Sequence, residues 1–184
     1  MTIISLAIGQ GEIGITPMQL ANQAALISNR GWYYTPHVIR AIGRKDSLNK
    51  EFSTKHQVMV DQRYFDVVIE GMANVVTGGT GKVAKMDSIE ICGKTGTAQN
   101  PHGKNHSLFI AFAPRQNSKI AISVVVENAG TGALWAAPIA SLMIEKYLNR
   151  TVKRKDLEER MIDGNLINGK QPESERGQGN ILPD

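Results

Sequence analysis

Cysteine is almost absent from this chain: Cys92 stands alone among 184 residues, so no intramolecular disulfide can brace the fold. Aromatics are scarce at 5%, and Lys plus Arg exceed Asp plus Glu by only four charges. Without a basic stripe interleaved with aromatics, nucleic acid is not an expected partner. No apolar run reaches the roughly 18 residues expected of a membrane span. The opening MTIISLAIGQGEIG lacks the charged start and the cleavage pattern of a secretory signal. The 41% hydrophobic content excludes a fully disordered chain, and 18 Gly with 7 Pro exclude a collagen-like one. What remains is one domain of ordinary size or a large piece of a bigger one. An opening directly on an apolar run is expected of a chain that is cut rather than begun.

Charge divides the chain. Residues 1–150 carry 15 Lys/Arg and 10 Asp/Glu, whereas residues 151–184 carry 6 and 7 and are poor in large apolar side chains. The second block is expected to be a short helical extension followed by a polar, disordered tail. In the first block, Thr16-Pro17 opens a helix that Gly31 should end, with Leu20, Ala24 and Ile27 on its buried face. The segment WYYTPHVIRAIG, broken by Pro36, reads as a short edge strand, and RKDSLNKEFSTKHQ as loop or hairpin. A second helix is expected over 61–76, with Phe65, Val68, Ile69 and Met72 on one side, ended by TGGTGK.

Three strands are predicted over 89–98, 107–113 and 119–127. The turn-forming pieces NPHGKNH and PRQNSK separate them, links too short for parallel crossovers, so the strands should be antiparallel neighbours. LWAAPIASLMIEKYLNR gives a final helix with Pro138 in its first turn. The expected fold class is α+β, an antiparallel sheet packed with helices.

The chemistry concentrates in Gly93-Lys94-Thr95-Gly96-Thr97-Ala98. On an exposed strand edge, Lys94 offers a cation, and Thr95 and Thr97 offer hydroxyls, for a carboxylate. Gly96 leaves room for a ligand backbone to lie against the strand. The Thr97 backbone N–H can form half of an oxyanion hole. Lys-Thr-Gly is an active-site element of penicillin-binding proteins and class A β-lactamases, and the surroundings extend the likeness. IGQGEIGITPMQLANQAALISNRGWYYTPHV, EGMANVVTGGTGKVA, GKTGTAQ, HSLFIAFAP, IAISVVVEN and AAPIASLMIEKYL follow in order. Over about residues 4–150 the chain resembles the transpeptidase domain of class B penicillin-binding proteins, most nearly the elongation-specific type.

The resemblance implies the carboxy-terminal portion (1–150) of an incomplete, β-lactamase-like transpeptidase fold, of whose five antiparallel strands three remain here. It implies a serine D,D-transpeptidase that cross-links peptidoglycan stem peptides and is acylated by β-lactams. Lys94 and Thr97 would be its catalytic residues, with Thr95, Gly96, Thr97 and Ala98 along the substrate, and no cofactor or metal. It also implies a parent anchored in the inner membrane with this domain on the periplasmic face, a membrane glycosyltransferase and cell-elongation proteins as partners, and a role in cell shape. The family's Ser-x-x-Lys and Ser-x-Asn lie upstream of the IGQG segment. Here Ser47-Leu48-Asn49-Lys50 alone spells both patterns, in a polar stretch with no apolar helical face, and is read as a decoy. The isolated chain is therefore expected not to acylate. Its last strand, 119–127, is expected to be an uncovered apolar edge that promotes self-association. The alternative reading is a non-catalytic penicillin- or peptide-binding module or sensor.

Other patterns favour plain roles. A phosphate loop needs Gly where Ser88 stands, and a helix where Gly96 follows. His102 and His106 sit among turn formers rather than on a helix that could present both to a metal. Gly78–Gly81 reads as a helix stop rather than an anion nest, Cys92 as a small buried hydrophobe rather than a nucleophile, and Trp32–Tyr34 as packing rather than a sugar platform.

Overall fold

The computed structural model describes residues 3–7, 9–10, 13–39 and 50–167. The chain runs α1 (Ile3–Ala7), α2 (Pro17–Ser28), β1 (Trp32–Tyr33), α3 (Lys50–Ser53), β2 (His56–Gln57), α4 (Gln62–Thr77), a 3-10 turn (Lys82–Ala84), β3 (Cys92–Ala98), β4 (His106–Ala113), β5 (Ile120–Val126), α5 (Ala136–Asn149) and α6 (Lys155–Asp163). The decoy residues 47–49 and the tail 168–184 lie outside the described residues.

Helices α2 and α4 start where a side chain replaces missing backbone partners. At α2 the Thr16 hydroxyl accepts from the Gln19 N–H, and the Gln19 side chain accepts from the Thr16 N–H, with Pro17 at the first position. The helix stops at Ser28. Arg30 already has φ +58°, ahead of Gly31 at +102°, so the left-handed turn begins one residue before the glycine expected to make it. At α4 the Asp61 carboxylate accepts from the Arg63 N–H. Phe65, Ile69, Met72, Ala73 and Val76 form its buried face. Val68, expected on that face, is instead 45% exposed, because the burying stripe steps 65, 69, 72, 76 and leaves position 68 on its flank.

The main sheet has the order β3-β4-β5 and is antiparallel throughout, pairing Lys94 with Ile110, Thr97 with Ser107, and Phe109 with Val124. Side chains alternate across it. Phe109, Ala111 and Ala113 of β4 join Ile122 of β5 and Ala136, Ala137, Ala140 and Ile144 of α5 in one cluster. Phe112 and Ile110 join Cys92 of β3, Ile69 and Met72 of α4, and Ile27 of α2 in another on the opposite face. Each fully buried Phe or Ile side chain contributes about 1.5–3 kcal/mol by leaving water, so these two layers hold the sheet between α5 and the α2/α4 pair.

The segment read as an edge strand pairs as β1 with β2, Trp32 opposite Gln57. Tyr33 stacks on His56, and Trp32 meets Tyr34 edge-on beneath the Lys55 ammonium. Beyond α5, the buried Glu145 carboxylate accepts from the Lys153 N–H (2.9 Å) and the Arg154 guanidinium (2.9 Å), fixing the approach to α6. Burial pushes the Glu145 carboxyl pKa up. Those two donors together outweigh it and hold the pKa below its ordinary value.

Candidate functional site

β3 lies at the sheet's edge, and its burial grades from closed to open: Cys92 and Gly93 are buried, Lys94 is exposed, and residues 95–98 are half-buried. Lys94 shares a face with Cys92 and projects beyond the cover of α2 and α4. Thr95 lies on the α5 face, where its hydroxyl is 2.6 Å from the Thr80 hydroxyl, on the loop before the 3-10 turn.

The direction of each peptide group follows from the packing. The point that a Cβ on Gly132 would occupy lies 2.8 Å from the Gly96 carbonyl oxygen and 3.1 Å from its nitrogen, and against the Leu108 carbonyl. The polar groups of Gly96 therefore face its partner Leu108 in β4, and those of Thr95 and Thr97 face away. The outer groups behave accordingly. The Thr95 carbonyl accepts from Lys94 Nζ (2.8 Å), and the Thr97 carbonyl accepts from Gln10 Nε2 (2.8 Å). The structure thus brings Lys94, Thr95, Gly96, Thr97 and Ala98 together along the edge strand of the described sheet. The Thr97 N–H is directed outward, the orientation an oxyanion donor needs.

Gly96 itself is less confined than its place in the motif suggests. An added Cβ would meet only the Leu108 side chain, at 3.2 and 4.0 Å. Gly132, which sequence reasoning passed over, is the residue against which the motif strand is packed. The neighbouring Ser107, fully buried, supplies the first turn of α5 with a cap: the Ala136 N–H donates to its hydroxyl (3.1 Å), which in turn donates to the Thr131 carbonyl (2.7 Å). Nothing local to residues 131–136 signals this cap.

The remaining candidates do not line the outer side of β3: His106 is paired with Ala98 from the inner side, and Cys92 begins the strand. His102 lies in a turn. His106 heads β4, where its Nδ1 accepts from the Asn128 N–H (3.1 Å). Cys92 is fully buried. Burial above all drives its thiol pKa to about 12, with Arg115 pulling it down and Glu90 and Glu70 pushing it up. A cavity of about 600 Å³ lined by Ile120, Leu142, Tyr147 and Glu158 includes none of the motif residues.

Comparison with known proteins identifies the family. The family profile described as penicillin binding protein transpeptidase domain matches residues 2–145. The chain is 34% identical, over 171 residues, to the peptidoglycan D,D-transpeptidase MrdA of Haemophilus influenzae, covering 80% of this chain and 26% of that one. It is 32% identical, over 155 residues, to the peptidoglycan D,D-transpeptidase PbpA of Mycobacterium tuberculosis, covering 77% and 31%. Among solved structures it resembles Pseudomonas aeruginosa PBP2 in complex with WCK 5153, with a TM-score of 0.69 and 34% identity over 83% of this chain and 34% of that one. It also resembles penicillin-binding protein A from M. tuberculosis as its imipenem acyl-enzyme, with a TM-score of 0.65 and 33% identity over 77% and 33%. The chain thus spans about a quarter to a third of the length of these relatives.

Proposed function

Since the chain belongs to the penicillin-binding protein transpeptidase family, we propose that it supplies the substrate-carboxylate and oxyanion side of a peptidoglycan D,D-transpeptidase site. The single observation that carries this reading is the outward-facing edge at Lys94–Thr97, a cation, two hydroxyls and an N–H along one open strand. A stem peptide ending in D-Ala–D-Ala lies against β3 as an added strand. Its terminal carboxylate is held by the Thr95 and Thr97 hydroxyls in the field of Lys94, and its scissile carbonyl oxygen sits at the Thr97 N–H. A β-lactam enters the same position by imitating the dipeptide. Lys94 can leave the Thr95 carbonyl for the ligand, because that bond spans only neighbouring residues at an exposed side chain.

The nucleophilic serine and its lysine come from outside these 184 residues. Support lies in the fraction of its relatives that the chain spans, and in the absence of any Ser-x-x-Lys other than Ser47–Lys50. In the whole protein this domain works at the periplasmic face of the inner membrane, with a glycosyltransferase and elongation proteins beside it. The relatives named MrdA and PBP2 favour the elongation-specific assignment.

Labelling with a fluorescent penicillin tests the reading. The 184-residue chain should take up no covalent label. The same chain expressed with the preceding part of its open reading frame should label at one serine, and Lys94→Ala should cut that labelling at least 100-fold, as loss of a group acting on the transition state does. Labelling of the 184-residue chain alone, abolished by Ser47→Ala, would overturn the assignment of the nucleophile. No labelling of the extended protein would leave the non-catalytic binding module.

A further inference from the structure

Gln10 belongs to the segment IGQG, 87 residues before Thr97, yet it is the residue that completes the outer edge of β3. Its carboxamide makes two bonds at once. Nε2 donates to the Thr97 carbonyl at 2.8 Å, and Oε1 accepts from the Gln99 N–H at 3.1 Å. A carbonyl and an N–H two residues apart are what one residue of a parallel neighbouring strand engages. The side chain thus takes the place of a strand one residue long.

The backbone beneath it is set for this task. Gly9 has φ +73°, its N–H bonds the Leu6 carbonyl, and the Gln10 N–H bonds the Ser5 carbonyl at 2.9 Å. That pair of bonds closes α1 in the glycine-dependent left-handed turn that ends many helices. Gly9 has nothing within 4 Å of an added Cβ, so its identity answers to conformation alone. The turn aims Gln10, and Gln10 holds Thr97.

We infer that Gln10 is a positioning residue that clamps the Thr97 carbonyl and closes the β3 edge at Gln99, so that a ligand strand adding to this edge ends at Thr97. This rests on the reading of the edge given above. The clamp leaves the Thr97 N–H to the ligand while fixing the following peptide plane, which limits rotation of the residue carrying the oxyanion donor. Glutamine suits the place chemically: it presents one donor and one acceptor on a single planar group, whereas a carboxylate would set two acceptors against a carbonyl.

The test uses the isotope-labelled 184-residue chain, its Gln10→Ala and Gly9→Ala variants, and N-acetyl-L-Lys-D-Ala-D-Ala as the probe. In the unliganded chain the Gln99 amide should exchange slowly with deuterium. It should exchange at least 10-fold faster in Gln10→Ala and several-fold faster in Gly9→Ala, and the Thr97 carbonyl carbon resonance should move in both. On titration, tripeptide-induced amide shifts along β3 should stop at Thr97 in the parent chain and spread to Gln99 in Gln10→Ala. Equal Gln99 exchange in parent and Gln10→Ala would overturn the inference, as would tripeptide shifts that reach Gln99 equally in both. If the exchange effect holds but the tripeptide shifts no β3 amide in either chain, the ligand reading of the edge is the part refuted and the clamp is retained.

Discussion

Replacing Gly132 by alanine should destabilise this protein far more than replacing Gly96, the glycine inside the recognised motif. A Cβ at Gly132 would sit against the Leu108 carbonyl, 2.8 Å from the Gly96 carbonyl oxygen and 3.1 Å from the Gly96 nitrogen. Relaxed carbon–oxygen contacts lie at about 3.3–3.6 Å, so the 131–134 loop must withdraw by roughly 1 Å. All three obstructing atoms are backbone in a paired ladder, and no side-chain rotation relieves them. The loop cannot retreat freely either, because Thr131 O accepts from Ser107 Oγ and Gly132 O accepts from the Ala137 N–H at 2.9 Å. Overpacking costs about 1–3 kcal/mol and a weakened buried hydrogen bond about 1 more, which places Gly132→Ala near 3 kcal/mol. For a chain of this size that is a fall in Tm of about 6–12 °C. At Gly96 the new methyl would meet the Leu108 Cβ at 3.2 Å, which a strand shift of a few tenths of an ångström relieves, and the cost should stay near 1 kcal/mol. Thermal melts followed by circular dichroism on the two variants and the parent decide the matter. A Gly132→Ala melt within 2 °C of the parent, or above that of Gly96→Ala, would refute the packing argument.

Four further outcomes are expected. With its thiol pKa at about 12, Cys92 holds only about one part in ten thousand as thiolate at pH 8, so Ellman's reagent should react only as fast as the chain unfolds; stoichiometric reaction within a minute on folded protein would contradict its burial. Glu145→Ala strands the Arg154 guanidinium and should cost about 3 kcal/mol in urea unfolding. Because the folded Glu145 carboxyl titrates below its ordinary 4.5, its stabilisation is complete above that pH and lost as pH falls through the lower folded value; the gap between parent and Glu145→Gln should shrink in that window, and a gap constant from pH 7 to 3 would contradict the linkage. Among the described residues β5 pairs only with β4 and carries no charge along Ile120–Val126, so the chain should self-associate at high concentration, and Val125→Lys should shift light scattering toward monomer; a parent that stays monomeric throughout would show the edge to be protected.

The parts of the fold that were legible in the sequence are those whose cause is local. Thr16, Pro17 and Gln19 announce α2 because a cap involves residues three apart. The three strands of the main sheet were visible as β-rich runs between turn formers. The motif at 94–97 was legible because its members are consecutive on one strand. Val68 and the end of α2 were misread for a related reason: several neighbouring positions satisfied the same local rule, and packing against other elements chose among them.

The support of the site was illegible because it comes from far away in the chain. Gln10, Thr80 and Gly132 reach β3 from three separate loops, and no periodicity links 10, 80 and 132 to 95–99. What these loops share is glycine beside or at the contact: Gly9 before Gln10, Gly79 and Gly81 around Thr80, and Gly132 itself. A loop can deliver a short polar group to an edge strand only if its own backbone turns sharply or comes within contact of the ladder, and both demands select against a Cβ. In this chain, then, isolated glycines in otherwise unremarkable loops mark where distant segments meet the motif strand. Substituting them should disturb the resonances of Thr95 and Thr97 before it disturbs the two packed clusters of the sheet.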